Sequence, residues 1–171
     1  MGFALYLRLL RAGHHAAYVD LEQIGFNSPA PPGDPGNHRV KARNLAAVWE
    51  RYRAAGARCL VTSGPLPDAT ALAAYTGALP AATLTVCRLH AGREQLTSRV
   101  MSRGRGGSWA QPGDALKGLS PARLLEAADA AVAEAEGLER SAVGDLRVDT
   151  GTSTAEEAAE AILTRTGWPA P

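Results

Sequence analysis

Asp20 closes the run Ala16-Ala-Tyr-Val-Asp20, which reads as a short strand, and so sets a carboxylate at a strand's carboxyl end. In open α/β sheets that edge is where ligands bind. The plainer use of the same position is an exposed strand-end acid or a helix cap. Arg39 and Arg43 stand one helical turn apart, a spacing that lets two guanidinium groups converge on one anionic or polar ligand near Asp20, with Asn44 adding a hydrogen bond. Arginines so spaced also serve as a simple solvated helix face. Arg99 and Arg103 repeat the spacing, and Arg105 follows in the Gly-rich stretch Gly104-Arg-Gly-Gly-Ser-Trp-Ala-Gln-Pro-Gly113. Cations on a closing segment can meet a phosphate chain; the alternative is arginines left in solvent.

Other chemistries have less to stand on. The lysines are Lys41 and Lys117, and no G-x-x-x-x-G-K-[ST] phosphate loop occurs in the chain. His14, His15, His38 and His90 lack metal-ligand spacing, so no metal site is expected beyond Mg²⁺ shared with a nucleotide. Cys59 and Cys87 lie within short β-like apolar runs, where buried reduced thiols are expected. The short basic stretch Arg103-Gly-Arg-Gly-Gly107 has no aromatic stacking platform beside it, which argues against nucleic acid.

The elements that must position these groups alternate between helix and strand, a pattern that predicts an α/β fold with a parallel sheet. Met1 to Ala12 reads as a helix stopped by Gly13, followed by a strand over His15 to Leu21. Pro29-Ala-Pro-Pro-Gly-Asp-Pro-Gly36 can be neither helix nor central strand. Val40, Leu45, Val48, Trp49 and Tyr52 share a helix face that ends at Gly56. Arg58 to Gly64 predicts a second strand, Asp68 a cap for a helix over Ala69 to Ala78, and Ala82 to Leu89 a third strand. A helix over Gly92 to Arg103 leads into the Gly-rich stretch. Ser120-Pro121 opens a helix with Leu124, Leu125, Ala128, Val132 and Ala135 inward, Asp145 to Asp149 reads as a fourth strand, and Ser153 with Glu156 fits a capping box for the last helix.

The length of 171 residues suits one domain, taken as 1–171. A net charge of +1 gives no global pull toward nucleic acid or membranes, so an anion site must be local. No run approaches a membrane span and no signal-peptide pattern is present, which makes cytoplasmic the default localisation. Isoleucine is confined to Ile24 and Ile162 while Ala, Gly, Pro and Arg abound, as a GC-rich bacterial genome would produce.

Several stretches taken together resemble a known family. They are Tyr18-Val-Asp-Leu-Glu22, Asp34-Pro-Gly-Asn-His-Arg39, Arg43-Asn-Leu-Ala-Ala-Val-Trp49, Ala54-Ala-Gly-Ala-Arg-Cys-Leu-Val61, Leu84-Thr-Val-Cys-Arg-Leu89, Leu96-Thr-Ser-Arg-Val-Met-Ser-Arg103 and Val148-Asp-Thr150. Their order resembles the small P-loop kinases of the nucleoside and nucleotide kinase type, including shikimate, gluconate and chloramphenicol phosphotransferase-like members, and most of all actinobacterial ATP-binding proteins of that superfamily. The resemblance implies a three-layer sandwich with a parallel sheet and an ATP-dependent phosphotransferase of a small hydroxylated or phosphorylated molecule, with ATP and Mg²⁺ as cofactors. It further implies Asp20 as catalytic base or acceptor ligand, Asp34, Arg39, Arg43 and Asn44 as substrate-binding, a lid over about 92–119 carrying Arg99, Arg103 and Arg105, and Thr150-Gly151-Thr152 beside the adenine.

In that family the helix matching Gly2 to Ala12 follows the phosphate loop, and the central strand precedes it. Both are absent from this sequence, so the expectation is a native protein extended upstream by one strand and its loop. That strand would lie between those matching Arg58 to Thr62 and Thr83 to Leu89, and its absence would leave two apolar edges unpaired and prone to self-association. The expected partners are a nucleotide and a small-molecule acceptor, without nucleic acid or membrane. The competing reading is a non-catalytic nucleotide-binding-like or protein-interaction module that has lost its phosphate loop.

Overall fold

A computed structural model describes residues 1–107 and 114–169. Helix α1 (Gly2–Arg11) ends because Gly13 adopts φ +83°, which lets the His14 N–H reach the Leu9 carbonyl and the Gly13 N–H reach Leu10, each at 3.0 Å. Strand β1 (Ala16–Asp20) runs into a 3₁₀ turn over Leu21–Ile24. Helix α2 (His38–Ala54) closes as α1 does, on Gly56 at φ +99°. Then come β2 (Cys59–Ser63), α3 (Ala69–Ala78), β3 (Cys87–His90), α4 (Arg93–Gly104), α5 (Pro121–Ser141), β4 (Leu146–Asp149) and α6 (Ala155–Thr166). The expected α3 and the Ser120-Pro121 opening of α5 stand where the sequence places them. Part of the Gly-rich stretch, Ser108 to Gly113, lies outside the described residues.

The strands do not join into the single sheet the alternation suggests. Among the described residues they form two parallel pairs, β1 with β2 and β3 with β4. Residues of β2 and β3 instead line one cavity of about 1180 Å³. This gap also corrects the third strand, expected from Ala82: Ala82 to Val86 has no ladder partner, and β3 begins only at Cys87, where Leu146 pairs with it. A second correction is at α6, where the capping box is formed by Thr154 and Glu157, one residue beyond the expected Ser153 and Glu156.

Each pair carries helices on both faces. Val19 and Leu21 pack with Ala42 and Leu45 of α2, Tyr75 of α3 and Leu79 just after it, while neighbouring Tyr18 points the opposite way onto the rings of Phe3 and Tyr6 in α1. Val148, Cys87 and Leu146 pack against Ala158 and Ile162 of α6 together with Leu5 of α1 and Met1 just before it. Arg88 and His90, on the other face of β3, meet Glu139 of α5. A third cluster, Val100 with Leu124 and Ala128, binds α4 to α5. Among the described residues the two strand pairs are joined chiefly by α1 lying against α6, with Arg8 paired to Glu160.

Candidate functional site

The carboxyl edge of the β1–β2 pair gathers the first polar group. Asp20 and Ser63 are register partners, so their side chains stand on one face about 4.8 Å apart across the strands. That face is the one covered by α1: the Tyr18 hydroxyl hydrogen bonds Ser63 Oγ at 2.6 Å, and a Cβ at Gly2 would come within 2.9 Å of the Ser63 Cβ. The amino end of α1, whose cap at Met1 makes no side-chain hydrogen bond, therefore sits over the ends of both strands. Its first-turn N–H groups lack intrahelical partners and favour negative charge. Asp20 is partly committed, because its Oδ1 accepts the Glu22 N–H at 3.0 Å and caps the 3₁₀ turn.

A second polar group lies on the other side of β1, around the start of α2. Asp34 is 5% exposed, and its two carboxylate oxygens accept the N–H groups of His38 at 2.7 Å and Arg39 at 3.0 Å. Through these bonds it holds the amino end of α2. Lys41, equally buried, is ion-paired with Glu22, and its methylenes lie against Gly25 where any Cβ would collide with them. Tyr75 donates to or accepts from His38 Nδ1 at 3.3 Å; burial, followed by the charges of Glu22 and Asp34, raises its hydroxyl to about 12, so it remains a neutral partner.

Arg39 and Arg43 are not brought to Asp20. On α2 the residues that meet the 3₁₀ turn are Lys41 and Asn44, and at 100° per residue Arg39 and Arg43 fall on the far side, both exposed. Arg43 Nε returns to the Arg39 carbonyl at 3.3 Å, while Asn44 donates to the Ile24 carbonyl at 2.8 Å and so pins the turn to the helix.

The cations expected on a lid are divided. Arg99 donates to both the carbonyl and the hydroxyl of Thr150, and the Thr150 hydroxyl in turn donates to the His90 carbonyl at 2.8 Å. Thr150 is 5% exposed and closed off by these bonds, and the Gly151 N–H is taken by Asp149 Oδ1 at 2.7 Å. Of that trio only Thr152 is exposed. Arg103 pairs with Asp114 at 3.2 Å, whereas Arg105 is exposed and makes no ion pair among the described residues.

Cys59 and Cys87 are free thiols, and burial pushes the pKa of each above its ordinary value. No three His, Cys, Asp or Glu residues gather into a metal site among the described residues, and no helix there is long and apolar enough to cross a membrane. No protein-family model matches the chain. Neither a curated protein nor a solved structure matches it.

Sequence reasoning singled out Asp20 and passed over its register partner Ser63 and the buried Lys41. The signal for Ser63 was present, since it ends β2 as Asp20 ends β1. Lys41 carried none, because a lysine on a helix reads as solvated until a glycine opposite makes room for its stem.

Proposed function

We propose that the chain supplies the acceptor side of an ATP-dependent phosphotransferase for a small hydroxylated or phosphorylated molecule, on a P-loop kinase-like three-layer shell. The observation that carries this reading is the meeting of Asp20, Ser63 and the amino end of α1 at one strand edge. Phosphoryl transfer is mainly positioning and charge neutralisation. Asp20, through the oxygen not bound to Glu22, would hold the acceptor hydroxyl and accept its proton, while Ser63 would orient the acceptor; a nucleotide held by a phosphate loop would supply the phosphoryl group, its bond to the departing ADP oxygen breaking as the acceptor oxygen bonds to phosphorus. Mg²⁺ uses one or two carboxylates together with phosphate oxygens and water, so Asp20 fits one such position. A triphosphate does not fit the residues present: Lys41 is spent on Glu22, and the sequence contains no phosphate loop.

Mg-ATP is therefore expected to bind this chain with a dissociation constant weaker than about 1 mM; micromolar affinity by calorimetry would contradict the reading. In a version of the chain extended upstream by a phosphate loop, at saturating Mg-ATP and with a panel of sugars and nucleosides as acceptors, Asp20→Asn should lower phosphate transfer about 100-fold or more while leaving nucleotide affinity unchanged. Asparagine retains the capping bond, so loss of fold is not the expected outcome. Equal loss of affinity and turnover would remove Asp20 from catalysis. The second reading, a non-catalytic module, is favoured by the internal commitments of Asp34, Arg99, Arg103 and Thr150. Absence of transfer to every acceptor by the loop-extended version, with no Mg-ATP shift in its melting temperature, would select it.

A further inference from the structure

Where β1 and β2 begin, at the end of the strands opposite Asp20 and Ser63, α1 and α2 finish and leave a second group of side chains. Arg11 ends α1, Arg51 and Arg53 lie in the last turn of α2, and Arg58 stands just ahead of β2. Backbone bonds join this edge into one rim: the Gly56 N–H reaches the Arg53 carbonyl at 3.0 Å, the Ala57 N–H the Tyr52 carbonyl at 2.9 Å, and the Arg58 N–H the His15 carbonyl at 2.7 Å. All four arginines are exposed and make no ion pair among the described residues, whereas Arg8, Arg88, Arg93, Arg103, Arg123 and Arg147 each meet an acid. Glu50, one turn before Arg53, pairs with none of them.

Helix carboxyl ends favour a nearby cation, which accounts for Arg11, Arg51 and Arg53 taken singly. Arg58 serves no helix, and gathering like charges works against folding until an anion meets them. Tyr52 is the second observation. Helical spacing sets it with Val48 and Trp49, yet those two join the core beneath α2 while Tyr52 stays outside it, 40% exposed. An aromatic ring thus stands with Arg51 and Arg53 on either side of it around the helix, and Arg58 follows across the turn.

We propose that this rim binds single-stranded nucleic acid, its arginines meeting phosphates and Tyr52 stacking on a base. Guanidinium groups stay charged and take phosphate oxygens in pairs. Stacking tolerates any sequence, because every base has a π face. A duplex keeps its bases stacked on one another and offers Tyr52 nothing, while an acidic peptide would satisfy the arginines and leave the ring unused. The net charge of +1 hides the rim because it sums over the whole chain, whereas a phosphate responds to charge within a Debye length of about 10 Å. No residue of the rim belongs to the Asp20 edge, so binding here is independent of phosphoryl transfer there.

The test uses the full 171-residue chain and a fluorescent thymidine oligonucleotide of about 12 residues. Binding followed by anisotropy should weaken as salt rises, log K falling against log salt with a slope of about −2 to −3, as roughly three or four phosphate contacts on a single strand require. Arg53→Gln together with Arg58→Gln should lower affinity about tenfold or more and make the slope shallower by about 1. Tyr52→Leu should lower affinity about tenfold and leave the slope unchanged. Arg39→Gln together with Arg43→Gln, the same loss of charge at the other end of α2, should alter affinity by less than about twofold. Absence of binding at about 20 mM salt would overturn the proposal, as would an equal loss from the Arg39 and Arg43 pair, which would make the attraction general to the surface. Equal affinity for a polyglutamate peptide of the same length would make an acidic protein the partner, and equal affinity for the duplex would remove Tyr52 from recognition; either result overturns it.

Discussion

Lys41 keeps its ammonium in a nearly closed site because Glu22 meets it, while its methylenes rest on the bare backbone of Gly25. The two partners are not equivalent. Glu22 is half exposed and can be hydrated alone, whereas Lys41 cannot. Removing the acid strands a buried cation; replacing the lysine with an unbranched apolar chain leaves the packing largely intact. Glu22→Ala is therefore expected to cost about 1–3 kcal/mol, and Lys41→Met under about 1 kcal/mol, in urea unfolding. The reverse order would show that the ion pair is not what fixes the 3₁₀ turn to α2. The catalytic prediction for Asp20 belongs to this scale too, and the two separate cleanly: Asp20 faces α1, whereas Lys41 lies on the side of α2.

Glu139 shows how one acid ties elements together, since it accepts Arg88 of β3 at 3.2 Å and Arg147 of β4 at 3.1 Å while riding on α5. Desolvation works against its ionisation, but the hydrogen bonds and charges of Arg147 and Arg88 outweigh it and hold the carboxyl below its ordinary value. A carboxyl lowered by folding means that the unfolded chain takes up the proton first as pH falls. The contribution is thus whole above the unfolded value of about 4.3 and is lost as pH drops toward the folded one. Urea midpoints measured from pH 6 to pH 3 should fall on acidification, and Glu139→Gln should lower the neutral value and flatten that descent. An unchanged acid slope in the variant would remove Glu139 as its source.

Much of the element scale was legible because it is local. Gly13, Gly56, Asp68 and Ser120-Pro121 mark helix ends through their own backbone and side-chain preferences, and the helices stop and start there. The last helix misled by one residue because Ser153-Thr-Ala-Glu-Glu157 holds two overlapping capping frames, and nothing local chooses between them. What the residues could not reveal was pairing. The segment from Ala82 has strand composition throughout, yet a strand exists only where another lies beside it. Arg39 and Arg43 are not brought to Asp20 for a related reason: helical spacing sets which residues share a face, and only packing decides which way that face turns.

At the scale of the molecule, two halves share one chain. The first holds β1, β2, α2 and α3; the second holds β3, β4, α4, α5 and α6. Helix α1 is the joint, covering β1 and β2 while its Met1 and Leu5 enter the core of the second half and Arg8 pairs with α6. A joint this narrow makes cooperativity depend on few side chains. Leu5→Ala, at a cost of about 1–3 kcal/mol, should split the calorimetric unfolding of the protein into two transitions. A single coincident transition in the variant would show that the halves are coupled elsewhere.

The cavity between the halves has an optical consequence. Trp49, on α2 of the first half, and Trp168, beyond α6 of the second, both line it. Two of the three tryptophans of the sequence thus line that space. Their emission will shift to the blue when water leaves that space and to the red when the halves part, with no label attached.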